Sequence, residues 1–463
     1  MDADRWYIAA VLAAALGSWL GMSGRVVPLP GIVLGAAVMA VGVAVVRRRP
    51  GLVCLGLGVV ALALAQRSMV GLTRVPELGP MQSEVTLLTD PAPLGRGGSI
   101  SVEVGVGGHR LAAVAHRAAA AALDDRLAGE RVVVRGRVTA PGPYERRMPH
   151  RHLVGRLEVD TVLGWRPGHG VTRAANGLRR TLTAGAAGLP ERQRSLLMGL
   201  VLGDDRNQPP DLTDAFQRAG LGHLLAVSGQ NVVFVLGLAG PVLSRVRFAP
   251  RLVLTLGVLA GFALLTRWEP SVLRATAMAA IGAFGAAVGR PASSRRVLAL
   301  AVTGLLLCDP LLVSSLGFQL SVLGAAGIIV GAGPIERRLP GPRWVTSPLA
   351  MTCAAQMAVA PLLTAVFGPI SLASLPANVL AAPAAGPVMV WGLTAGLVAG
   401  LVGGPVAGLL QLPTRLLLAW IEAVALAAAR WPIVSLGSWH LGALLVAGVA
   451  LLVFRHGRSR DGP

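Results

Sequence analysis

The sequence predicts a polytopic α-helical membrane protein of about twelve spans, with a small extracytoplasmic β-barrel of the OB type inserted between spans. Three observations support this fold class. Of the 463 residues, 54% are hydrophobic and only 14% are charged. Many apolar runs approach the roughly 20 residues that a helix needs to cross a bilayer. One stretch of about a hundred residues interrupts these runs, and its apolar residues alternate as they do in strands.

The first 71 residues contain three apolar runs, which are predicted to be transmembrane helices. The runs lie near residues 6–22, 31–46 and 51–65. Three consecutive arginines, Arg47 to Arg49, lie between the second and third runs. Since cytoplasmic turns are enriched in basic residues, this turn and the amino terminus are predicted to be cytoplasmic. Acidic residues rather than a strongly basic segment precede the first run, so we expect a retained span and not a cleaved signal peptide.

Residues 72–170 are predicted to form a domain outside the membrane. Apolar and polar residues alternate over 99–104 and 131–138, as they do in half-buried strands. With three further short segments, the pattern gives about five strands separated by turn residues. A small closed barrel of the OB type is the economical arrangement for five such strands.

Beyond this domain the chain becomes helical and then apolar almost to its end. Residues 171–223 have the pattern of amphipathic helices, which lie in the membrane interface or against a helix bundle. Residues 224–454 contain nine further predicted spans, and residues 455–463 form a basic cytoplasmic tail. The spans lie near 224–243, 252–267, 271–289, 297–313, 316–333, 345–366, 374–400, 413–430 and 433–454.

The arginines of the turns support this arrangement, because they fall on the side that the positive-inside rule makes cytoplasmic. Both termini are therefore expected in the cytoplasm. One region admits two interpretations: residues 374–413 hold either one span with a re-entrant loop or two short spans.

The composition also bears on the classes of function. The net charge of +20 comes from arginine alone because the chain contains no lysine, which excludes a standard Walker A loop. We therefore expect a separate protein to hydrolyse any nucleotide that drives the process. The three cysteines lie in apolar runs and are expected to be core residues. The sequence predicts no metal site, no cofactor and no enzymatic activity, and His150-Arg151-His152 is expected to be a solvated loop rather than a metal site.

Polar side chains within the predicted spans are the candidates for function, because each is costly in lipid and normally faces the bundle interior or water. The sharpest cluster is Ser228, Gln230 and Asn231, near the outer end of the fourth span. The other candidates are Arg274, Gln319, Ser321, Gln356 and Asn378. Such residues either line a hydrated path or hydrogen-bond neighbouring helices. For Arg274, snorkelling or pairing with Glu269 are alternatives to a role on a path.

Five ordered stretches of this sequence resemble the ComEC family of competence proteins. The first is 199–205, which contains Asp204 and Asp205, and the second is 216–229, which contains His223. The others are 270–275, 309–310 with 317–321, and 356–368 followed by Asn378. The resemblance is specific over roughly residues 193–383, and the external domain matches only by position and pattern.

The resemblance implies a channel that passes one DNA strand across the bacterial inner membrane, with an external OB-like domain that meets the incoming DNA. Two departures from the family pattern matter. Asn231 stands where the family has a histidine. An asparagine can still form hydrogen bonds, but it cannot perform a role that requires an imidazole ring. The chain stops before the metallo-β-lactamase-like nuclease domain of many members, so we expect another protein to degrade the second strand.

The physical requirements of a DNA path agree with this expectation, because a polyanion needs a hydrated route lined by donors and positive charge. The external domain contains thirteen arginines and ten acidic residues between Arg74 and Arg166, which favours weak binding to phosphates. Its candidate contacts are Arg110, Arg131, Arg135, Arg137 and Arg156. The expected partners are single-stranded DNA, membrane lipids, an extracytoplasmic DNA receptor, and a cytoplasmic ATPase with single-strand-binding proteins.

Two other functions are compatible with parts of the pattern. A secondary transporter of a small solute would also have polar residues at mid-membrane and broken helices, but it predicts an inverted repeat, and we find no convincing one. A membrane-embedded hydrolase or transferase would use His223, Ser228 and Asp204, and it requires a base and a nucleophile within hydrogen-bond reach. DNA transport is therefore the leading hypothesis.

Overall fold

The computed structural model describes residues 3–24, 31–74, 76–95, 98–368, 371 and 373–431. These residues form a mainly helical protein with one separate β domain. The predicted span near 433–454 and the predicted tail 455–463 lie outside the described residues. Helices α1 to α3 are Ala3–Met22, Gly31–Val46 and Pro50–Leu72. The third helix is therefore longer than its predicted span of 51–65, because polar residues near its end continue the helix.

Helices α1 and α3 are packed closely through glycine. A β-carbon at Gly17 would collide with the backbone oxygen of Gly58, so only glycine allows this approach of the two helices. Large apolar side chains on α2 remain exposed, including Met39 at 74% and Val46 at 82%. Such surfaces suit contact with lipid rather than with water.

The β domain contains a six-stranded sheet, one strand more than the sequence predicts. Its strands β1 to β6 are Gly79–Leu87, Ala92–Leu94, Ser99–Val106, His109–Ala115, Arg131–Thr139 and Leu153–Arg166. The strand order is β1-β5-β6-β4-β3-β2, and a short ladder of two residue pairs also joins β1 to β3. Strands β4 and β6 are parallel, and the other ladders are antiparallel. This arrangement confirms a β domain but does not by itself establish a closed barrel.

Alternation along β5 explains how the β domain is built. Val132, Val134 and Val138 are buried in its apolar core, whereas Arg135 and Arg137 between them are exposed. A period of two thus separates the core face from a basic outer face. Helix α4, Arg117–Asp124, lies between β4 and β5 in the chain and covers one end of the core with Leu123. A short helix, α5, follows β5 at Pro143–Arg147.

Three helices connect the β domain to the remaining spans: α6 Gly170–Gly185, α7 Glu191–Leu202 and α8 Pro210–Arg218. Every residue of α7 from Ser195 to Leu202 is buried, so this helix is part of the helical core. It is therefore packed against the bundle, which is one of the two locations that the amphipathic pattern allows.

The rest of the helical core runs from α9 to α17. Its helices are Gly229–Leu243, Phe248–Leu265, Pro270–Ala287, Ser294–Cys308, Leu316–Glu336, Arg343–Phe367, Ser374–Val402, Gly404–Leu410 and Leu412–Ala429. The region 374–413 holds one 29-residue helix followed by a short one, α16. Helix α6 crosses α15 closely, since a β-carbon at Gly185 would overlap the backbone of Gly396.

Six helices among the described residues are long and apolar enough to cross a membrane. They are α1, α3, α13, α14, α15 and α17. Helices α2, α9 and α10 are apolar but shorter, so a count of about twelve spans is not established. The coarser prediction of a helical membrane protein with an inserted β domain is confirmed.

Helix α12 relates the amino terminus to the β domain. At its first turn, the Arg296 guanidinium donates to Asp4 of α1 at 2.6 Å. At its other end, Asp309 lies 3.0 Å from His152 of the β domain. The amino terminus and the β domain therefore lie at opposite ends of this helix.

Candidate functional site

The first part of the candidate site is the amino-terminal end of α9. Ser228 precedes the helix, and its hydroxyl donates to the side-chain oxygen of Asn231 at 3.2 Å. The Asn231 amide donates to the backbone oxygen of Leu200 in α7 at 2.7 Å, and Asn231 is buried. Asn231 therefore joins α9 to α7, as interhelical hydrogen bonds do. Gln230 between them is exposed.

Arg274 on α11 lies against this end of α9. Its guanidinium is so close that a β-carbon at Gly229 would come within 2.5 Å of it. It donates to the Ser321 hydroxyl on α13 at 2.7 Å and contacts the Met278 sulfur at 3.1 Å. Among the described residues, no carboxylate forms an ion pair with this guanidinium. The alternative of pairing with Glu269 is therefore not observed.

The structure thus brings Ser228, Asn231, Arg274 and Ser321 together at the meeting of α9, α11 and α13. An arginine with only neutral partners is an uncompensated positive charge in a half-buried setting. Such a charge is costly in apolar surroundings unless water or an anion reaches it. This cluster is the part of the helical core best suited to contact a phosphate.

The other polar candidates lie elsewhere in the bundle. Gln319 donates to the Val313 backbone oxygen at 2.7 Å and so closes the turn that precedes α13. Asn378 is buried on α15 and donates to the backbone oxygens of Ser374 and Gly220. Gln356 is half-buried on α14. Gln319 and Asn378 thus hydrogen-bond backbone, which fits a role in holding the bundle together.

The second part of the site joins the β domain to the helical core. Its centre is Asp90, in the loop between β1 and β2, with a side chain only 9% exposed. Arg179 of α6 and Arg267, in the turn between α10 and α11, each donate to this carboxylate at 2.8 Å. We call the connected group the Asp90 network. Its members are Asp90, Asn176, Arg179, Asp204, Arg206 and Arg267.

Arg179 holds three elements at once. Its guanidinium donates to the backbone oxygens of Leu202 at 3.1 Å and Leu265 at 2.7 Å, which lie at the carboxyl ends of α7 and α10. It also reaches Asp90 of the β domain and Asp204, and its side chain is 3% exposed. A positive charge at two helix carboxyl ends is electrostatically favourable. Arg179 therefore fixes two core helices relative to the β domain.

Asp204, which belongs to the family-like stretch 199–205, is a member of this network. Arg206 holds it with two hydrogen bonds, at 2.7 and 2.6 Å, and also donates to the Pro91 backbone oxygen. Burial alone would raise the pKa of Asp204, but the bonds and charge of Arg206 outweigh it, so the pKa lies below its ordinary value. The same balance, with Arg179 and Arg267 as partners, lowers the pKa of Asp90. Both groups are therefore charged at neutral pH.

Two nearby carboxyl groups, Asp205 and Glu269, have raised rather than lowered pKa values. Asp205 is exposed, and Glu269 lies half-buried just before α11, where its charge interacts with that of Asp205. Burial, with a smaller contribution from Asp205, raises the pKa of Glu269 to about 7, although the nearby Arg151 opposes the shift. Glu269 therefore titrates near neutral pH.

The loop His150-Arg151-His152 forms a second attachment of the β domain. His152 pairs with Asp309, and His150 lies 3.3 Å from the Ser314 hydroxyl, where the short 3-10 helix Pro310–Ser314 follows α12. Arg151 pairs with Glu103 on β3. The prediction of a solvated loop is therefore wrong, since His150 and His152 are half-buried and contact the helical core. Spacing along the chain could not reveal that contact.

The candidate arginines of the β domain separate into two groups. Arg131, Arg135 and Arg137 share the outer face of β5, and Arg166 on β6 lies opposite Arg131. Arg131 pairs with Glu84, Arg135 bonds to Gln82, and Arg137 is exposed. Trp165 pairs with the core residue Val132 and therefore projects from the opposite side of the sheet, where the Arg126 guanidinium stacks on its ring at 4.2 Å. The basic face of β5 is the surface of the β domain best suited to phosphates.

Two predicted contacts lie apart from the basic face. Arg156 donates to Glu145 at 2.7 Å, and this carboxylate is almost fully buried, which indicates a structural ion pair. Arg110 is exposed on β4, separated from β5 by β6. His223 of the family motif is exposed in the 3-10 helix Gly222–Leu224, before α9.

Comparison with known proteins identifies the family. The sequence profile described as Competence protein matches residues 200–460, which is more than half of the chain. The chain belongs to the competence protein family. ComE operon protein 3 of Bacillus subtilis (strain 168) is 26% identical over 236 residues, which are 50% of this chain and 30% of that protein. This chain thus aligns with less than a third of its relative, and no solved structure matches it.

The match to the competence family contains most of the candidate site, including Asp204, Asn231, Arg274 and Ser321. Sequence reasoning missed Asp90, Asn176, Arg179 and Arg267. Three of these lie before the matched region, and all of them act through contacts between distant parts of the chain. The local signal was that Asn176 and Arg179 fall at a spacing of three residues on the same stripe of α6 as the apolar Leu182.

Proposed function

We propose that this protein passes single-stranded DNA across the cytoplasmic membrane during natural transformation, with no catalytic step of its own. One observation carries the proposal. Arg274 is a cation with neutral partners, inside apolar helices of a chain that belongs to the competence family. A phosphate moving past it would meet a bidentate donor and the hydroxyl of Ser321.

The proposed path runs beside the ends of α9, α11 and α13. Ser228, Gln230, Arg274 and Ser321 contribute hydroxyl, amide and guanidinium groups, which replace water around a phosphate. Asn231, Gln319 and Asn378 support the path by holding backbone in position rather than by touching DNA, because their amides are already bonded to backbone oxygens.

We further propose that the β domain is an OB-like barrel that receives the DNA. The ladder between β1 and β3 supports closure, since it joins the two ends of the β1-β5-β6-β4-β3 series, with β2 as an added edge strand. The parallel pairing of β4 with β6 and the helix between β4 and β5 are consistent with this arrangement. Its basic face would bind phosphates with little dependence on sequence.

The proposed location is the bacterial inner membrane, with about twelve spans, cytoplasmic termini and the β domain outside. The arginine distribution of the turns supports this orientation. The proposed partners are an extracytoplasmic DNA receptor, a cytoplasmic ATPase that supplies the energy, and single-strand-binding proteins that receive the strand. The absence of lysine from the chain supports a separate ATPase.

Uptake of labelled DNA by a strain that lacks the gene tests this function. The strain is complemented with wild-type protein, with Arg274→Gln, or with Arg343→Gln, whose side chain is 95% exposed. Membrane abundance is measured in parallel. We expect uptake to require the protein, to fall in Arg274→Gln at equal abundance, and to be unchanged in Arg343→Gln. Normal uptake without the protein would refute the proposal.

A further inference from the structure

The turn between α10 and α11 is held in an unfavourable backbone conformation. Arg267 and Trp268 are consecutive, neither is glycine, and each has a φ of +58°. A side chain in this left-handed region is disfavoured because its β-carbon crowds the following carbonyl oxygen. Two such residues in succession persist only where the surrounding contacts enforce them.

Contacts with the β domain enforce this conformation. Asp90 accepts hydrogen bonds from Arg267 at 2.8, 3.1 and 3.2 Å, and Asn176 accepts another at 2.8 Å. Asn176 in turn donates to the Ala128 backbone oxygen, which is also part of the β domain. The Ala128 backbone N–H donates to Asp90 at 2.8 Å, so the carboxylate itself is fixed. The turn is therefore clamped from the β domain side.

The same turn is the starting point of α11. Glu269 follows Trp268 directly, α11 begins at Pro270, and Arg274 lies in its second turn. The Trp268 and Glu269 backbone N–H groups donate to Ala263 and Thr266, which fixes the entry of α11 relative to α10. A change in this turn would shift or rotate the beginning of α11, and with it the guanidinium of Arg274.

We propose that Asp90 is a positioning residue: it holds the strained turn between α10 and α11, so that the contact of the β domain with the helical core sets the position of Arg274. Asp90 is not proposed to touch the transported strand. It acts through Arg267, the turn and α11. The part of the proposal that concerns uptake rests on the proposed function, whereas the part that concerns the turn does not.

Hydrogen exchange on the purified full-length protein tests the clamp directly. In Asp90→Ala and in the milder Asp90→Asn, we expect the amides of residues 268 and 269 to exchange faster than in the wild type, while those in the middle of α14 are unchanged. Unchanged exchange at the turn in both variants would overturn the proposal.

A pair of second-site variants tests whether Asp90 holds a strained backbone or only contributes contacts between the β domain and the helical core. Glycine adopts a positive φ without a steric penalty, whereas alanine does not. In the Asp90→Ala background, the amides of the turn should therefore exchange about fivefold more slowly with Trp268→Gly than with Trp268→Ala. Both substitutions remove the same half-exposed indole, so they differ only at the β-carbon. Equal exchange in the two double variants would mean that Asp90 does not act by holding a strained turn.

DNA uptake per folded molecule provides the second readout. We expect Asp90→Ala to reduce it and Trp268→Gly, but not Trp268→Ala, to restore part of it. If wild-type protein supports no uptake, the proposed function fails while the exchange results still decide the clamp. If uptake is normal in Asp90→Ala although the turn exchanges faster, the link from Asp90 to Arg274 is refuted.

Discussion

The carboxylate of Asp90 and the guanidinium of Arg267 are 177 residues apart in the chain and 2.8 Å apart in the structure. This contact joins the loop between the first two strands to the turn between α10 and α11. Around it, two carboxylates and three guanidiniums form a connected, largely buried network. The β domain is thus attached to the helical core by specific charges as well as by chain connectivity.

Arg179 should be the residue of this network most sensitive to substitution. Arg179→Met removes donors to two helix-end carbonyls and leaves Asp90 and Asp204 with one fewer partner each. Breaking a buried ion pair from one side costs about 3–5 kcal/mol, so we expect a clear fall in the unfolding temperature of the detergent-solubilised protein. Arg137→Met, at an exposed position, is the control and should have little effect. Equal unfolding temperatures for the two variants would contradict the assigned role.

Glu269 should make stability depend on pH. Its folded-state pKa is raised from 4.5 to about 7, so its favourable contribution is complete below pH 4.5 and is lost as the pH rises through 7. Glu269→Gln mimics the protonated form and should behave like the wild type near pH 5. Near pH 8 the variant should unfold at a higher temperature than the wild type. A difference that is independent of pH would show that Glu269 does not titrate in this range.

The fold was predictable where one physical rule dominates. Long apolar runs gave α1, α3, α13 and α14, and alternation gave β3 and β5, because burial against lipid or a core imposes these periods. Strand β2 was not predictable, because three residues carry no periodicity. The helix α7 is polar at its start and buried at its end, so its burial follows from tertiary packing rather than from its own pattern.

Asn231 and Arg274 should respond differently to substitution. Asn231→Leu loses the hydrogen bond to Leu200 and leaves a buried carbonyl unpaired, which costs about 1–3 kcal/mol. We expect less folded protein in the membrane and normal uptake per folded molecule. Arg274→Lys keeps the charge but loses the planar pair of donors, so we expect normal abundance and lower uptake per molecule. If the two variants have the same membrane abundance and the same uptake per folded molecule, Asn231 cannot be a structural residue while Arg274 contacts DNA.

The arginines of the β domain should also fall into two classes. In the full-length protein, Arg137→Ala should weaken binding of single-stranded DNA and reduce the salt dependence by about 0.7 in the log–log slope, as expected for one lost phosphate contact. Arg156→Ala should leave that slope unchanged and instead destabilise the domain, because the buried Glu145 loses its partner. A salt dependence that changes only with Arg156 would place the DNA on a different face.

The candidate site was predictable only in part. Ser228, Asn231, Arg274 and Ser321 were recognisable because polar groups are rare in apolar runs. Whether such a group holds helices together depends on its hydrogen-bond partners, which the sequence does not show: Asn231 donates to the Leu200 backbone oxygen, whereas Arg274 donates to the Ser321 hydroxyl. Apart from Asp204, which lies in the stretch 199–205, the Asp90 network was not predictable, since its other charged residues lie in loops and an amphipathic helix, where charged residues are ordinary.

Site-specific photo-crosslinking to a strand in transit tests the central claim most directly. A photoreactive amino acid replaces Gln230, which is exposed and directly follows Gly229, the residue against which Arg274 lies. As a control, it replaces the exposed Met39 of α2. Cells taking up labelled DNA are irradiated, and the protein is recovered under denaturing conditions. We predict labelled DNA attached at position 230 and none at position 39. Continued uptake with no attachment at position 230 would contradict a path beside α9 and α11.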